Sequence, residues 1–141
     1  MVNDKILSRF SGSLPINWKD GKDRVIKNGP LYGIDDVNAL IDNADKIRTM
    51  TRRCINDTQK LGLDNESLKE LVRSALGHGR YINSVWCRIN EKSIAACDAY
   101  EITRRELISA TMKEMDFNYY LKFAVNNQGK LLLMVSCHLS N

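Results

Sequence analysis

Two runs of alternating side chains, joined by a short turn within residues 117–139, constrain the fold more than any other part of the chain. The odd positions of both runs are apolar: Tyr119, Leu121, Phe123, Val125, Leu131, Leu133, Val135 and Cys137. This period of two is typical of strands that bury one face. Residues 126–130 between them contain the asparagines and the glycine that favour tight turns. The sequence therefore predicts a β-hairpin in which Val125 lies across from Leu131.

The other face of the predicted hairpin is polar and carries Tyr120, Lys122, Ser136 and His138. In this register Tyr120 lies across from Ser136 and diagonal to His138, and diagonal neighbours are about 7–8 Å apart. A phenol, an ammonium group, a hydroxyl and an imidazole close together are suited to phosphate chemistry. The alternative is an ordinary solvent-facing surface, because one face of an antiparallel sheet is commonly polar.

The length and composition of the chain are typical of a soluble protein with one globular domain. It has 141 residues, of which 43% are hydrophobic and 27% charged, and its net charge of +4 is weak evidence for a polyanionic partner. No apolar run approaches the ~20 residues that span a bilayer, and the N-terminus lacks a signal-peptide pattern, so we expect a cytoplasmic protein without a membrane partner. The four cysteines lie far apart, without a zinc-binding spacing. We therefore expect reduced thiols, and neither a metal nor another cofactor.

Three helices are predicted in the first half of the chain. Residues 1–32 form a basic N-terminal extension, which either lies against the main body or is a flexible arm. An apolar stripe then predicts a helix capped by Asp35 or Asp36 and ending near Arg48. A second helix is expected at about residues 49–61, and a third begins after a cap at Asp64 or Asn65 and ends at Gly77.

Strands are predicted in the second half. Residues 81–89 and 93–102 are expected to form strands around a turn at 90–92, because the first run is rich in aromatic and β-branched side chains. Residues 103–106 have the pattern of a capping box, which predicts a short fourth helix whose one face is lined by Leu107, Ile108, Thr111, Met112 and Met115. Helices followed by a sheet are typical of an α+β domain. We expect this domain to span residues 33–141, with its N-terminal helices packed on an antiparallel sheet.

Five segments of the chain, in the same order, resemble the MqsR family of bacterial toxins. They are residues 37–52 (VNALIDNADKIRTMTR), 59–64 (QKLGLD), 97–100 (CDAY), 120–123 (YLKF) and 133–136 (LMVS). Members of that family are mRNA endonucleases of toxin–antitoxin systems and have a RelE-like α+β fold. The resemblance therefore implies that fold, metal-independent cleavage of mRNA, and a cognate antitoxin protein as partner.

The resemblance also assigns positions to the family's catalytic residues. The catalytic tyrosine falls on Tyr120, and the catalytic lysine near the end of the last strand falls on His138. A second catalytic lysine falls near Asn83, and a glutamine of the family falls on Cys97. These exchanges leave two functions open, an active endoribonuclease or a catalytically impaired RNA- or protein-binding module. A DNA-binding regulator is a third possibility, but residues 35–61 offer no clear face of base-reading side chains.

The chemistry expected of an active enzyme assigns a role to each hairpin residue. Attack of the ribose 2′-OH on phosphorus needs a base, an acid for the leaving 5′-oxygen and cations for the developing charge. An imidazole, with an ordinary pKa of about 6.5, suits proton transfer near neutrality, so His138 is the candidate acid or base. Tyr120 would orient the phosphate or share the proton transfer, and Lys122 would offset the phosphate charge.

Three further residues are candidates for RNA binding. Arg104 and Arg105 would contact phosphates if the N-terminus of the predicted fourth helix points into the cleft, although a solvated helix end is the alternative. Asn83 is a candidate through its place in the resemblance. Asp98 and Tyr100 we interpret as structural.

Overall fold

The computed structural model describes residues 4–108 and 110–140. Over these residues the chain is a mixed α+β structure with one large, mostly antiparallel sheet and few helices. Its elements in chain order are β1 Lys5–Ile6, α1 Gly21–Arg24, β2 Val25–Ile26, α2 Ile34–Leu40, a 3₁₀ turn Ala44–Lys46, β3 Ile47–Thr49, α3 Arg52–Lys60, α4 Asn65–His78, β4 Arg80–Asn90, β5 Ser93–Ile108, β6 Lys113–Val125 and β7 Leu132–Leu139. None of these helices is long and apolar enough to cross a membrane.

The sheet is built around the long strands β4 to β7. Six strands follow the order β2-β4-β5-β6-β7-β3, and β1 pairs with β5. Adjacent strands in the series β2-β4-β5-β6-β7 are antiparallel. Strand β3 runs parallel to β7, and β1 runs parallel to β5. The strands predicted at residues 81–89 and 93–102 are confirmed as β4 and the first part of β5. The expected antiparallel sheet is therefore present.

Helix α4 supplies much of the apolar core. Its buried side chains recur with helical spacing and are Leu68, Leu71, Val72, Ala75 and Leu76. They belong to one core cluster with Tyr100, Leu121 and Phe123 of the sheet. The rings of Tyr100 and Phe123 stack with their centroids 5.7 Å apart. Because side chains alternate along a strand, the residues between these buried positions face the opposite side of the sheet.

The predicted hairpin is present as β6 and β7, but its register differs from the prediction. Tyr119, Leu121, Phe123 and Val125 are buried as expected. Val125 pairs with Leu132 instead of Leu131, because Asn126 forms a backbone hydrogen bond with Leu131 and its side chain accepts from the backbone N–H groups of Lys130 and Leu131. A bulge at Val135 adds one further residue to β7, between the pairs Lys122–Ser136 and Phe123–Met134.

Helix α2 is shorter than the prediction. It begins at Ile34 and ends at Leu40, so Asp35 and Asp36 lie in its first turn and do not cap it. The Asn43 side chain then accepts from Asp45 N and starts the 3₁₀ turn. Ile47, which was predicted to extend the helical stripe, instead begins β3 and pairs with Leu132. A strand buries this side chain as completely as a helix would, which explains the error.

The other two predicted helices are present. Helix α3 starts at Arg52 after a cap at Thr51, three residues later than expected from the predicted range, and Gly62 follows it with φ +68°. Helix α4 is capped by Asp64, whose carboxylate accepts from Ser67 N, and it ends at His78.

The predicted fourth helix is wrong. Residues 103–108 and 113–115 continue β5 and β6 in a long hairpin, in which Glu106 pairs with Met115. The apparent capping box is a polar ladder across the two strands, where Arg105 lies 3.1 Å from Glu114 and 3.3 Å from Asp116. The Tyr119 hydroxyl donates to Glu106 at 2.6 Å, which further favours the extended backbone. Consequently Arg104 and Arg105 do not lie at a helix N-terminus.

The N-terminal segment lies against the sheet over its described residues. Besides the pairing of β1 and β2, the Phe10 ring contacts Trp86 with centroids 6.1 Å apart. The buried Asp98 carboxylate accepts from the backbone N–H groups of Leu31 and Tyr32 at 2.9–3.0 Å and from the Ser84 hydroxyl at 2.6 Å. Asp98 therefore has the structural role that the sequence predicted, anchoring this segment to the sheet.

Candidate active site

Tyr120 and His138 form the centre of the candidate site. They are directly paired across β6 and β7, and their rings stack with centroids 5.2 Å apart and an interplanar angle of 23°. The sequence predicted a diagonal relationship, and the longer turn at Asn126 together with the bulge at Val135 changes it to a direct one. Both side chains are partly exposed, on the face of the sheet opposite to α4. The two groups are therefore close together and accessible.

A contact with a backbone carbonyl determines which ring nitrogen of His138 has a free lone pair. Its Nδ1 lies 3.1 Å from the carbonyl oxygen of Leu139. A carbonyl oxygen only accepts, so Nδ1 carries a proton in this contact. In the neutral imidazole the lone pair is then on Nε2, which makes Nε2 the atom able to act as a base.

Lys122 adds a cation to this pair. Its Nζ lies 5.9 Å from the centroid of the Tyr120 ring, within the range of a cation–π contact. It pairs with Ser136 on β7 and with Ala99 on β5. The three hairpin residues predicted from the sequence are thus brought together.

The site is a cavity of about 190 Å³ between helix α3 and the hairpin. Its lining consists of Arg53, Cys54, Asp57, Tyr120, Lys122, Val135, Ser136 and His138. The helix is attached to the strand by Thr51, whose hydroxyl donates to the carbonyl oxygen of Val135 at 3.0 Å and accepts from Cys54 N at 3.0 Å. The acceptor is the bulged residue, so the bulge is also the point where the helix contacts β7.

Arg53 and Asp57 were missed by the sequence reasoning. The helix was described by its apolar positions, and its polar side carried no signal about which element it would face. The one available sign was the i, i+4 spacing of Arg53 and Asp57, which places both on one side of the helix next to the buried Cys54. The packing of α3 against β7 depends on tertiary structure, so this spacing alone could not identify the site.

A pair of thiols lies beside Lys122 on the same face of the sheet. Cys87 pairs with Ala95, and Cys97 lies two residues further along β5, diagonal to Cys87. A hydrogen bond with Cys97 lowers the pKa of Cys87 to about 7, against the effect of burial and together with the Lys122 ammonium. Complete burial raises the pKa of Cys97. The Lys122 ammonium therefore favours the thiolate form of Cys87.

The remaining two cysteines behave as buried thiols. Burial raises the pKa of Cys54 to about 11 and that of Cys137 to about 12. Neither therefore provides a thiolate near neutrality, even though Cys54 lines the cavity.

Asn83 lies in the same row of the sheet as Lys122. It pairs with Ala99, which pairs with Lys122 on its other side. Its Oδ1 is buried without a hydrogen-bond partner among the described residues. Asn83 is thus two strands away from Lys122, on the same face.

Arg104 and Arg105 lie further along the β5–β6 hairpin and do not line the cavity. Arg104 pairs with Phe117, on the face opposite to Tyr120, and it lies 3.9 Å from Glu106. Arg105 is on the same face as Tyr120, but Glu114 and Asp116 pair with its charge. Their placement gives no support for a phosphate contact at the cavity.

Other clefts lack a comparable set of groups. One of about 300 Å³ contains His78 with Arg80 and Glu101, where the arginine and the carboxylate are already paired at 2.5 Å. A larger one of about 420 Å³ lies beneath the N-terminal segment and includes Phe10 and Trp86. The cavity at Tyr120 is therefore the best candidate active site among the described residues.

Comparisons of the chain with protein-family models, with curated proteins and with solved structures found no match. A functional assignment therefore depends on the geometry of this site and on the resemblance of the sequence segments.

Proposed function

We propose that this protein is a divergent MqsR-like endoribonuclease with a RelE-like fold, acting as the toxin of a toxin–antitoxin system. The observation that carries the proposal is the stacked Tyr120–His138 pair, with Lys122 beside it in one cavity. It provides a proton-transfer group near neutrality, a phenolic hydroxyl and a cation. These are the groups that metal-independent cleavage of RNA requires.

The proposed reaction is an attack of the ribose 2′-oxygen on the adjacent phosphorus. His138 Nε2 accepts the proton of the 2′-OH as the new O–P bond forms. The bond from phosphorus to the 5′-oxygen breaks, and the Tyr120 hydroxyl donates a proton to that oxygen. The products are a 2′,3′-cyclic phosphate and a free 5′-OH. Lys122 stabilises the negative charge on the phosphorane oxygens.

The resemblance also implies a partner and a location. Toxins of this kind are held inactive by a cognate antitoxin, so we expect one to bind this chain. An mRNA substrate places the activity in the cytoplasm.

A catalytically impaired RNA- or protein-binding module is the second candidate. The observation in its favour is that His138 and Asn83 stand where the family has its two catalytic lysines, and Cys97 where it has a glutamine, so the site has fewer permanent cations than the resemblance implies. Such a module would bind RNA at the same surface without cleaving it.

Single-turnover cleavage of a labelled RNA in the presence of EDTA tests the proposal. The chain has two histidines, which provide a matched pair of variants. His138→Ala should reduce the rate by about 10²- to 10⁴-fold, the usual contribution of an acid–base group. His78→Ala, in another cleft, should leave it unchanged.

Two further measurements complete the test. Products with 2′,3′-cyclic ends are expected, and induced expression should arrest growth unless the antitoxin is co-expressed. Binding of RNA without cleavage by the wild type would overturn the endonuclease proposal and favour the binding module. An unchanged rate for His138→Ala would remove His138 from the mechanism.

A further inference from the structure

We infer that Arg53 is a substrate-binding residue, and that the cavity between α3 and the hairpin holds one phosphate group between Arg53, Lys122 and His138. This inference deepens the proposed function and rests on it for the identity of the substrate, an RNA phosphodiester. The position of the anion itself follows from the residues that line the cavity.

The first support is that Arg53 is held at the cavity although its side chain is exposed. Thr51 attaches the start of α3 to Val135, and Cys54, the next residue after Arg53, is buried. Arg53 thus extends from a backbone with a defined position relative to Ser136 and His138. Binding an anion would therefore order only the side chain of Arg53 and not its backbone.

The second support is that the guanidinium is unpaired. Arg73, Arg80, Arg88, Arg104 and Arg105 each form an ion pair with a carboxylate. Within residues 4–108 and 110–140, Arg53 forms none. Its five donors are therefore available for the bidentate geometry that phosphate oxygens accept.

The third support is the size and charge of the cavity. At about 190 Å³ it is smaller than the roughly 300 Å³ of pockets for drug-sized ligands. It is nevertheless large enough for a single phosphate group. Arg53 and Lys122 line it as cations, Asp57 as an anion, and His138 contributes a positive charge when protonated.

The backbone of α3 adds to this charge. The first N–H groups of a helix have no intrahelical acceptor, and the helix dipole favours an anion at that end. Thr51 satisfies the N–H of Cys54. The helix therefore contributes through its dipole, at the end of this nine-residue helix where Arg53 lies.

Titration with inorganic phosphate tests the anion site without any cleavage reaction. The proton resonances of the two imidazoles can be followed separately, so His138 reports on the cavity and His78 serves as an internal reference. We expect phosphate to shift the His138 resonances alone. Arg53→Ala should weaken the binding by about tenfold or more, as expected for a charge-assisted hydrogen bond. Arg53→Lys should retain part of it.

Arg52→Ala is the matched control, because Arg52 is the exposed neighbour in the same helix and does not line the cavity. It should bind phosphate as the wild type does. A second arm uses an RNA with a 2′-deoxy substitution at the cleavage site, which cannot react, and distinguishes a phosphodiester from free phosphate. Cleavable RNA should show kcat/KM reduced by about tenfold or more in Arg53→Ala alone.

The outcomes separate this inference from the proposed function. Phosphate binding that depends on Arg53, in a protein that cleaves no RNA, would support the anion site and overturn the endonuclease. Cleavage by the wild type with equal phosphate affinity and equal kcat/KM in Arg53→Ala would overturn the inference and leave the endonuclease intact. Failure of the wild type to bind either phosphate or the 2′-deoxy RNA would also overturn it. Circular dichroism should show that all variants are folded, because both arginines are exposed.

Discussion

Tyr120 and His138 face each other directly across the last two strands, with their rings stacked 5.2 Å apart. Two features of β7 determine this pairing. The turn closes on Asn126 and Leu131, and the bulge at Val135 then separates the Lys122–Ser136 pair from the Phe123–Met134 pair. A change of register by one residue would place His138 on the buried face of the sheet. The site therefore depends on the backbone at positions remote from the two rings.

Removing single hydroxyl groups from two adjacent tyrosines tests which face carries the chemistry. Tyr120→Phe should retain the stacked ring and reduce single-turnover cleavage by about 10²-fold, because it removes the proton donor. Tyr119→Phe is the matched control, since its hydroxyl donates to Glu106 on the other face. It should leave cleavage unchanged and lower the free energy of unfolding by about 1 kcal/mol, measured in urea. A large loss of cleavage in Tyr119→Phe, with none in Tyr120→Phe, would contradict the placement of the site.

Lys122 should act mainly through binding. Lys122→Ala removes one cation from the cavity, so it should weaken RNA binding and reduce the slope of log K against log salt concentration by about 0.7. Lys113→Ala is a suitable control, because Lys113 is exposed near the end of the β5–β6 hairpin. Affinities measured between low and moderate salt give both slopes. Equal slopes for the wild type and Lys122→Ala would exclude a phosphate contact by Lys122.

The core of the fold was predictable from the sequence where one side-chain period had only one interpretation. The alternation from Tyr119 to Val125 and the helical stripe of α4 each match a single template, and both predictions are confirmed. The stripe that ends at Ile47 was ambiguous, because its position continues the helical spacing although a β-branched side chain favours a strand. Residues 103–115 matched a helix template by spacing, while the cross-strand charges that favour the hairpin lie far apart in sequence.

The candidate site was predictable only in part, for a related reason. Tyr120, Lys122 and His138 lie on one hairpin, so a local pattern was enough to bring them together. Arg53 reaches them through the packing of α3 on β7, which no local pattern encodes. Cys87 and Cys97 become neighbours of Lys122 only when three strands are in register.

Cys87 is buried like the other three cysteines, but it should ionise at a lower pH than Cys54 and Cys137. Because its pKa is lowered from an ordinary 9.0 to about 7, the thiolate forms in the folded state at a lower pH than in the unfolded state. Its ionisation therefore contributes stability above the ordinary pKa, and that contribution is lost as the pH falls through about 7. Alkylation with iodoacetamide, followed by mass spectrometry from pH 6 to 10, should show modification of Cys87 with a midpoint of about 7.

Two variants test the cause of this lowered pKa. Cys97→Ala removes the hydrogen-bonding thiol, and Lys122→Met removes the neighbouring charge at similar volume. Both should move the midpoint for Cys87 to higher pH, with the larger effect from Cys97→Ala. Cys54 and Cys137, whose pKa values burial raises to about 11 and 12, should remain unmodified below pH 10. Modification of Cys54 before Cys87 would contradict this order.

Thr51 should position the site without contacting the substrate. Its hydroxyl caps α3 and also donates to the bulged residue Val135, so Thr51→Ala removes the connection that holds Arg53 over the hairpin. We expect a loss of about 1 kcal/mol in the free energy of unfolding, which is typical of a lost N-cap, together with a higher KM at a nearly unchanged kcat. Thr51→Ser retains the hydroxyl and should restore both quantities.

The matched control for Thr51 is Asp64→Ala, which removes the equivalent cap of α4 from Ser67 N. Asp64 does not line the cavity, so this variant should lower the melting temperature and leave KM unchanged. The comparison separates positioning from general destabilisation, because both variants lose an N-cap and only Thr51→Ala loses the tether. If Asp64→Ala raises KM as much as Thr51→Ala does, the effect is one of overall stability, and the connection from Thr51 to Val135 has no separate role in placing Arg53.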